Sequence, residues 1–258
     1  MSASHAAERS KYSSRNWTRW TEMRQALLNK LITAKAEKRP TVVVTDLASG
    51  AQSLWLEGEY DGDIAMTSGL SDGIDRTLRR DKGETLEENG VRYFLQPFPP
   101  PKRMIVVGAV HIAQSLVPMA SLSGYDVTIV DPRQAFATEA RFPSVSLQHD
   151  WPDEAMSALD PDRRTAVITL THDPKLDDPA LLVALRSPAF YIGALGSNRT
   201  HAKRLARLRE AGLTESELAR IHAPVGLDIG AVSPAEIAVS IMAQITAVLH
   251  APAQREAA

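Results

Sequence analysis

"MIVVGAVHIAQSLVPMASLSGYDVTIVDPR", residues 104–133, decides the fold of this chain of 258 residues. A run rich in Val and Ile ends at Gly108, a helix-length segment begins near His111, and a second apolar run ends at Asp131. This order is typical of the first βαβ unit of a doubly wound, Rossmann-like sheet. The spacing between Gly108 and Asp131 also matches the position where a carboxylate accepts a hydrogen bond from a ribose hydroxyl.

The turn of this unit departs from the dinucleotide-binding pattern at one position. The pattern G-x-G-x-x-G is replaced by "GAVHIA" (108–113), so that Val110 stands where glycine lets a pyrophosphate approach the backbone. Two interpretations stay open. A cofactor or nucleotide binds here, with His111 or Arg133 meeting a phosphate, or the domain keeps the topology without binding NAD(P).

The rest of the C-terminal half repeats the alternation of strand and helix. The runs "RMIVVG", "DVTIV", "TAVITL" and "AFYIG" are each followed by a helix-length segment. This pattern predicts a parallel sheet covered on both faces, in a domain over residues 102–250. "SPAEIAVSIMAQITAVL" (233–249) predicts a long final helix, since Ser, Pro and Glu stand at the N-cap, N1 and N3 positions.

Residues 18–98 predict a small α+β domain. An apolar helical spacing runs from Thr18 through Trp20 and Met23 and ends before Pro40. Three strand candidates follow, "TVVVTDL", "AQSLWLEG" and "GVRYFLQPF", with a helix predicted in "SDGIDRTLRRD". We therefore expect two or three strands, a frayed leader before Thr18, and a proline-stiffened linker in "QPFPPPKR" (96–103) with the boundary near Pro101.

Polar residues follow the predicted parallel strands at the sheet edge where ligands bind in such folds. In "THDPKLDDPALL" (171–182), we expect His172 and Asp173 to point into the crevice as a proton-transfer or metal pair, although two ligands alone do not define a metal site. Asp177 and Asp178 are interpreted as structural, because carboxylates are favourable at a helix start. In "GLDIGAVSPAE" (226–236), the glycines around Asp228 indicate either a ligand contact or a turn.

The stretch "YIGALGSNRTHAKR" (191–204) predicts a strand that turns on two glycines into a cationic helix. One interpretation is a tight, capped turn. The other is an anion nest, in which backbone N–H groups and a guanidinium converge on a phosphate at the helix N-terminus. The residues concerned are Gly193, Gly196, Ser197, Asn198, Arg199 and Thr200.

Composition narrows the classes of partner and location. The chain is 44% hydrophobic, and its 29 basic and 31 acidic residues leave a formal charge of −2, so we expect no nucleic-acid or membrane partner. The N-terminus has no apolar signal core and no stretch is long enough to span a bilayer, so we expect a cytoplasmic protein. The chain contains no cysteine, which excludes disulfides, thiolate metal sites and a sulfur-transfer thiol of its own.

Several stretches in order resemble the XdhC/CoxI family, accessory proteins of xanthine dehydrogenase and related molybdenum hydroxylases. They span about residues 103–249 and read "VVGAVHIAQ", "VTIVDPRQAFAT", "THDPKLDDPAL", "YIGALGSNRTHAKRLARL" and "GLDIGAVSPAEIAVSIMAQI". The resemblance implies a Rossmann-like domain and a role in receiving, protecting and handing over molybdenum cofactor, together with a cysteine desulfurase that sulfurates it. Many family members have glycine where this chain has Val110, and typical members carry a glycine-rich segment and a cysteine that are missing here.

The leading hypothesis is a non-catalytic chaperone that transiently binds molybdenum cofactor in its molybdopterin form and delivers it to a hydroxylase of the xanthine or carbon monoxide dehydrogenase type. A homodimer is left open. The alternatives are an NAD(P)-dependent oxidoreductase, with His172 as acid or base, and a nucleotide-binding regulatory module. No catalytic residue and no metal site are predicted. The predicted cofactor-binding residues are Gly108, His111, Asp131, Arg133, His172, Asp173, Gly193, Gly196, Ser197, Asn198, Arg199, Thr200 and Asp228.

Overall fold

A computed structural model describes residues 24–251 of the chain. Contacts between Cα atoms divide the chain into two units, Met1–Pro100 and Pro101–Ala258. Each unit has its own apolar clusters, and each is described by itself.

The first unit contains two helices and a five-stranded antiparallel sheet within the described residues, in the strand order β3-β2-β1-β5-β4. Its elements are α1 (Gln25–Ala36), β1 (Thr41–Asp46), β2 (Gln52–Leu56), β3 (Glu59–Gly62), α2 (Ser68–Arg80), β4 (Glu84–Glu88) and β5 (Val91–Phe98). Val42 and Val44 of the central strand β1 pack with Leu70 and Ile74 of α2 in one apolar cluster.

Three expectations for this unit need correction or stay open. The prediction of two or three strands was wrong, because β3 and β4 pair at the sheet edges although their acidic sequences, EYDG and ETLEE, lack a strong apolar alternation. The predicted linker 96–103 was too long, since β5 continues to Phe98 and the next strand begins at Lys102. The helix predicted from Thr18 is described only from Gln25, because Trp20 and Met23 lie outside the described residues.

The second unit is a parallel sheet in the order β11-β10-β9-β6-β7-β8, counted over the described residues. Its elements are β6 (Lys102–Val107), α3 (His111–Leu122), β7 (Tyr125–Val130), β8 (Ser146–Gln148), α4 (Pro152–Leu159), β9 (Thr165–Thr169), α5 (Pro174–Arg186), β10 (Tyr191–Ala194), α6 (Asn198–Glu210), α7 (Glu215–Leu218), β11 (Ile221–His222) and α8 (Pro234–Leu249). This is the doubly wound strand order of Rossmann domains, and the predicted α/β fold is confirmed.

Apolar strands explain why this sheet is covered on both faces. Met104 and Val106 of β6 point into a cluster with α3 and α8, whereas Ile105 and Val107 point into a second cluster with α4, α5 and α6. A strand buried on both faces has no polar alternation, which is the pattern seen in the sequence.

The last helix, α8, begins where its capping residues predict. Ser233 accepts a hydrogen bond from the Glu236 N–H, and the Glu236 carboxylate accepts from the Ser233 N–H in return, which forms a capping box. Ile241 and Ile245 of α8 are fully buried in the cluster shared with α3. The predicted helix at 233–249 is therefore confirmed.

The strand order sets the position of the functional edge. β6 and β9 are neighbours, and the chain leaves them in opposite directions along the sheet, so the loops that follow them meet at their carboxyl ends, the edge where such sheets bind ligands. Gly108 lies at this edge with φ +111°, and a Cβ there would lie 2.6 Å from Thr171 Cγ2. The two loops therefore touch, and a side chain at residue 108 would push them apart. Over residues 24–251, no helix has the length and apolar character that crossing a bilayer requires.

Candidate functional site

Asp131 ties the turn after β6 to the loop after β7. Its side chain is fully buried, with one oxygen accepting from the Ala109 N–H at 2.8 Å and the other from the Arg133 N–H at 3.0 Å. The Arg133 guanidinium donates to both oxygens, at 2.9 and 2.8 Å. Burial alone raises the pKa of Asp131, but the hydrogen bonds from Arg133 and Ala109 outweigh it and hold the pKa below its ordinary value. A ribose hydroxyl at this carboxylate would have to displace Arg133, so the ribose role of Asp131 stays a prediction.

Val110 and His111 form the start of α3. Val110 is the N-cap residue, and its half-buried side chain packs against the apolar layer shared by α3 and α8. His111 is exposed as the first helical residue. Because His111 is exposed, an anion could reach its side chain. The side chain of Val110 occupies the position where the dinucleotide-binding pattern requires glycine.

His172 and Asp173 follow β9 and have different surroundings. His172 is exposed, with φ +61°, and lines a cleft described below. Asp173 is the N-cap of α5, where its carboxylate accepts from the Lys175 N–H at 3.0 Å. Asp173 thus has a structural contact of its own. Among residues 24–251, no group of three or more potential ligands is arranged to hold a metal ion.

A cleft of about 260 Å³ lies between α5 and α6, and we call it the α5–α6 cleft. It is lined by His172, Pro174, Asp177, Arg199, Thr200, Lys203, Arg204 and Arg207. Both helices begin at this edge of the sheet, since α5 follows β9 and α6 follows β10. The cleft thus combines two helix N-termini with four cationic side chains, an arrangement that favours an anion.

The predicted anion nest lies at the start of α6, and part of it is already in use. Gly196 has φ +135°, and a Cβ there would lie 3.0 Å from Thr200 Cγ2. Ser197 is the N-cap residue, and its Oγ accepts the Thr200 N–H at 3.2 Å. Arg199 and Thr200, in the first turn of α6, line the cleft. The structure therefore shows a capped turn, and the role of this turn as an anion nest stays a prediction.

Arg204 and Asp177 form a buried ion pair beside the cleft. Each residue is 1% exposed, and Arg204 Nη2 lies 3.6 Å from Asp177 Oδ2. Nη2 donates to the Leu195 carbonyl at 2.8 Å, and Asp177 Oδ1 accepts from the Thr171 hydroxyl at 2.6 Å. Burial raises the pKa of Asp177 above its ordinary value, although the Thr171 hydrogen bond and the Arg204 charge oppose this. Among the residues that the structure describes, Asp177 Oδ2 and Arg204 Nε and Nη1 have no hydrogen-bond partner.

Sequence reasoning identified Arg199 but missed the other charged residues of the cleft. Asp177 was assigned only to the start of a helix, and Lys203, Arg204 and Arg207 were not singled out. A signal was present, because residues 199, 203 and 207, like 200 and 204, are spaced by four and so share one face of a helix. The identity of the helix packed against that face, α5, follows only from the fold.

Of the thirteen predicted residues, His172, Arg199 and Thr200 line the cleft, and Gly193, Asn198 and Asp228 are among the ten that do not. Gly193 is buried within β10, where a Cβ would lie 2.6 Å from Val225 Cγ2, so its missing side chain makes room for packing. Asn198 is the exposed first residue of α6. Asp228 lies in the exposed loop between β11 and α8. Their roles in cofactor binding stay predictions.

The comparisons with known proteins include relatives named for molybdenum cofactor insertion and for xanthine dehydrogenase. The chain is 35% identical to the molybdenum cofactor insertion chaperone PaoD of Escherichia coli (strain K12), over 59% of this chain and 42% of that protein. It is 33% identical to a protein of Bacillus subtilis (strain 168) named as a probable component of xanthine dehydrogenase, over 59% of this chain and 44% of that protein. A crystal structure of a xanthine dehydrogenase from Bacillus halodurans superposes with a TM-score of 0.69 at 25% identity, covering 90% of this chain and 66% of that one.

The chain spans less than half of the length of these two curated relatives. The Escherichia coli relative is named as a chaperone and not as a catalyst. Residues 104–245, which run from β6 to α8, match the family described as the XdhC Rossmann domain. Because this match covers more than half of the chain, the protein belongs to the XdhC family, and the resemblance seen in the sequence is confirmed.

Proposed function

We propose that this protein is an accessory chaperone that binds molybdenum cofactor and delivers it to a molybdenum hydroxylase of the xanthine or carbon monoxide dehydrogenase type. The observation that carries the proposal is the cationic α5–α6 cleft, which lies at the carboxyl ends of β9 and β10 in a domain of the XdhC family. The names of the relatives support a role in cofactor maturation.

The residues at this edge of the sheet fit the organic part of the cargo. A pterin carries a phosphate or pyrophosphate group, which suits the cations of the cleft, and a planar ring suits a crevice between strand-end loops. The chain offers no thiolate to the molybdenum, since it contains no cysteine. We infer that the chaperone holds its cargo through the phosphate and the ring, in the molybdopterin form, and that its own residues bind and orient the cargo without reacting with it.

The absence of cysteine also bears on which protein supplies the sulfur atom of the cofactor. If the sulfur atom transferred to the cofactor is carried as a cysteine persulfide, that cysteine belongs to another protein, because this chain has none. We therefore propose a cysteine desulfurase as a second partner beside the hydroxylase. A homodimer would place two cargo sites in one particle, and we include it in the proposal.

Deleting this protein tests the proposed function directly. In the deletion strain, we expect the hydroxylase polypeptide to accumulate with its iron–sulfur clusters and flavin but without active molybdenum cofactor. The measurement is the content of metal and sulfurated pterin in the purified hydroxylase. Adding back this protein, loaded with cofactor, should restore turnover in an extract, while the unloaded protein should not.

Full occupancy of the hydroxylase by sulfurated cofactor in the deletion strain would refute the chaperone proposal. Purification of this protein from a molybdenum-replete host separates the alternatives. A pterin absorption band with molybdenum supports the chaperone, whereas a bound dinucleotide would support the NAD(P)-dependent oxidoreductase.

A further inference from the structure

The charges around the α5–α6 cleft do not balance. Arg207 donates from Nε and Nη2 to the carboxylate of Asp178, and Arg204 is paired with Asp177. Arg199 and Lys203 are both exposed and line the cleft, and no carboxylate in the described part of the chain pairs with either of them. The cleft thus carries two uncompensated positive charges. A phosphate monoester carries a charge of about −1.5 to −2 at neutral pH, so the charges of the ligand and of the cleft would nearly balance.

The buried guanidinium of Arg204 points to a ligand more strongly than the exposed cations do. Its Nε and Nη1 are buried without a partner among residues 24–251, and Arg204 lines the cleft. Leaving a buried donor unsatisfied is costly, so such groups are normally paired with protein, water or ligand. The opposite oxygen, Asp177 Oδ2, keeps the charge of Arg204 compensated when the cleft is empty.

The size and position of the cleft suit a terminal group of a ligand better than a whole ligand. Its volume of about 260 Å³ is below the range of sites that enclose drug-sized ligands, about 300–1,000 Å³. Pro174 at the start of α5 and Arg199 and Thr200 in the first turn of α6 all line it. Both helix dipoles therefore direct their positive ends toward the cleft.

We propose that the α5–α6 cleft is a phosphate monoester site, with Arg204 as its buried anchor and Arg199 and Lys203 as its rim. This inference rests on the proposed function in one respect: the phosphate is that of the cargo. The predicted nest at 197–200 then contributes Arg199 and Thr200, and Lys203 and Arg204, one turn further along α6, supply the rest of the site. Asp177 remains the counter-ion of Arg204.

The test is a titration of the purified full chain with methyl phosphate, in which binding is measured by calorimetry and by ³¹P NMR. We expect Arg199→Ala and Lys203→Ala each to weaken binding about tenfold or more, because each removes one charge-assisted contact. Arg209→Ala is the matched control. Arg209 lies on the same helix, is exposed, pairs with Glu215 and does not line the cleft, so its loss should leave the affinity unchanged.

Arg204 needs its own variants, because removing it leaves the buried carboxylate of Asp177 without compensation. Arg204→Lys keeps the positive charge. We expect this variant to bind methyl phosphate more than tenfold more weakly, because an ammonium group lacks the planar set of N–H donors of a guanidinium. If it does not fold by circular dichroism, the double variant Asp177→Leu/Arg204→Met removes the pair together and should abolish binding. Methyl phosphate binding unchanged in a folded Arg204 variant would overturn the proposal.

AMP and NAD⁺ distinguish the source of the phosphate. If the site reads the phosphate of the cargo, AMP should bind within a few-fold of methyl phosphate, and NAD⁺, which lacks a monoester, more weakly. Binding of AMP or NAD⁺ at least tenfold tighter than methyl phosphate would identify a nucleotide site and overturn the assignment to the cargo. These titrations involve no hydroxylase, so a failed phosphate site and a failed chaperone function give separate results.

Discussion

At the scale of single residues, Asp131 connects pH to stability. Its pKa in the folded protein lies below the value of about 3.9 for an unperturbed aspartate. A depressed pKa of this kind stabilises the fold above about pH 4, and the stabilisation is lost as the pH falls through the folded pKa. The contacts to the Ala109 N–H and to Arg133 therefore weaken only when the pH falls far enough to protonate Asp131.

Asp131→Asn tests this link. We expect the free energy of unfolding at pH 7 to fall by about 1–3 kcal/mol, because one donor at the turn loses its acceptor and Arg133 loses its charged partner. Urea unfolding at pH 7 and at pH 3 measures the effect. The difference between wild type and variant should shrink at pH 3, and an equal difference at both pH values would contradict the account.

Val110 stands where the dinucleotide-binding pattern has glycine, in the turn after β6. Val110→Gly restores the close approach that the pattern requires, so we expect it to improve NAD(P)H binding in calorimetry. We also expect it to cost about 1 kcal/mol of stability, because the half-buried side chain packs on the layer of α3 and α8. Wild-type protein that already binds NADPH at micromolar concentration would show that Val110 is no obstruction.

At the scale of elements, α8 carries a measurable cap. Ser233→Ala should lower the free energy of unfolding by about 1 kcal/mol, since it removes the acceptor of the Glu236 N–H and half of the capping box. Ser157→Ala is the control, because Ser157 lies on α4 and donates only to the Asp153 carbonyl. Its loss should stay within about 0.5 kcal/mol in the same urea titration. Equal losses for the two variants would argue against the cap.

Some helices and strands could be predicted from the sequence and others could not. The strand, turn and helix at 104–133 and the capped helix at 233–249 were predictable, because apolar periodicity and capping residues act locally. β3 and β4 were not, because each becomes a strand by pairing with a neighbour and not through its own composition. Asp177 and Arg204 are 27 positions apart in sequence, and their pairing follows only from the packing of α5 on α6.

At the scale of the whole molecule, the order of the six described parallel strands determines where chemistry can occur. The loops after β6, β7, β9 and β10 lie at one edge, so Gly108, Asp131, His172 and Arg199 are all presented there although they span much of the second unit. The sequence predicted this edge correctly. It did not predict which gap between loops would hold the charge, since that depends on which helices face each other.

The lengths of the outermost strands of this sheet have a consequence for self-association. β8 has three residues and β11 has two, whereas β6 and β7 in the interior have six each. An exposed edge strand offers unpaired backbone groups that can template pairing with another chain, and short edges offer few of them. A second copy therefore finds almost no backbone ladder to extend at either side of this sheet, so a dimer contact made by the second unit would use its helix and loop surfaces. The apolar central strands of this sheet are thereby shielded from aggregation.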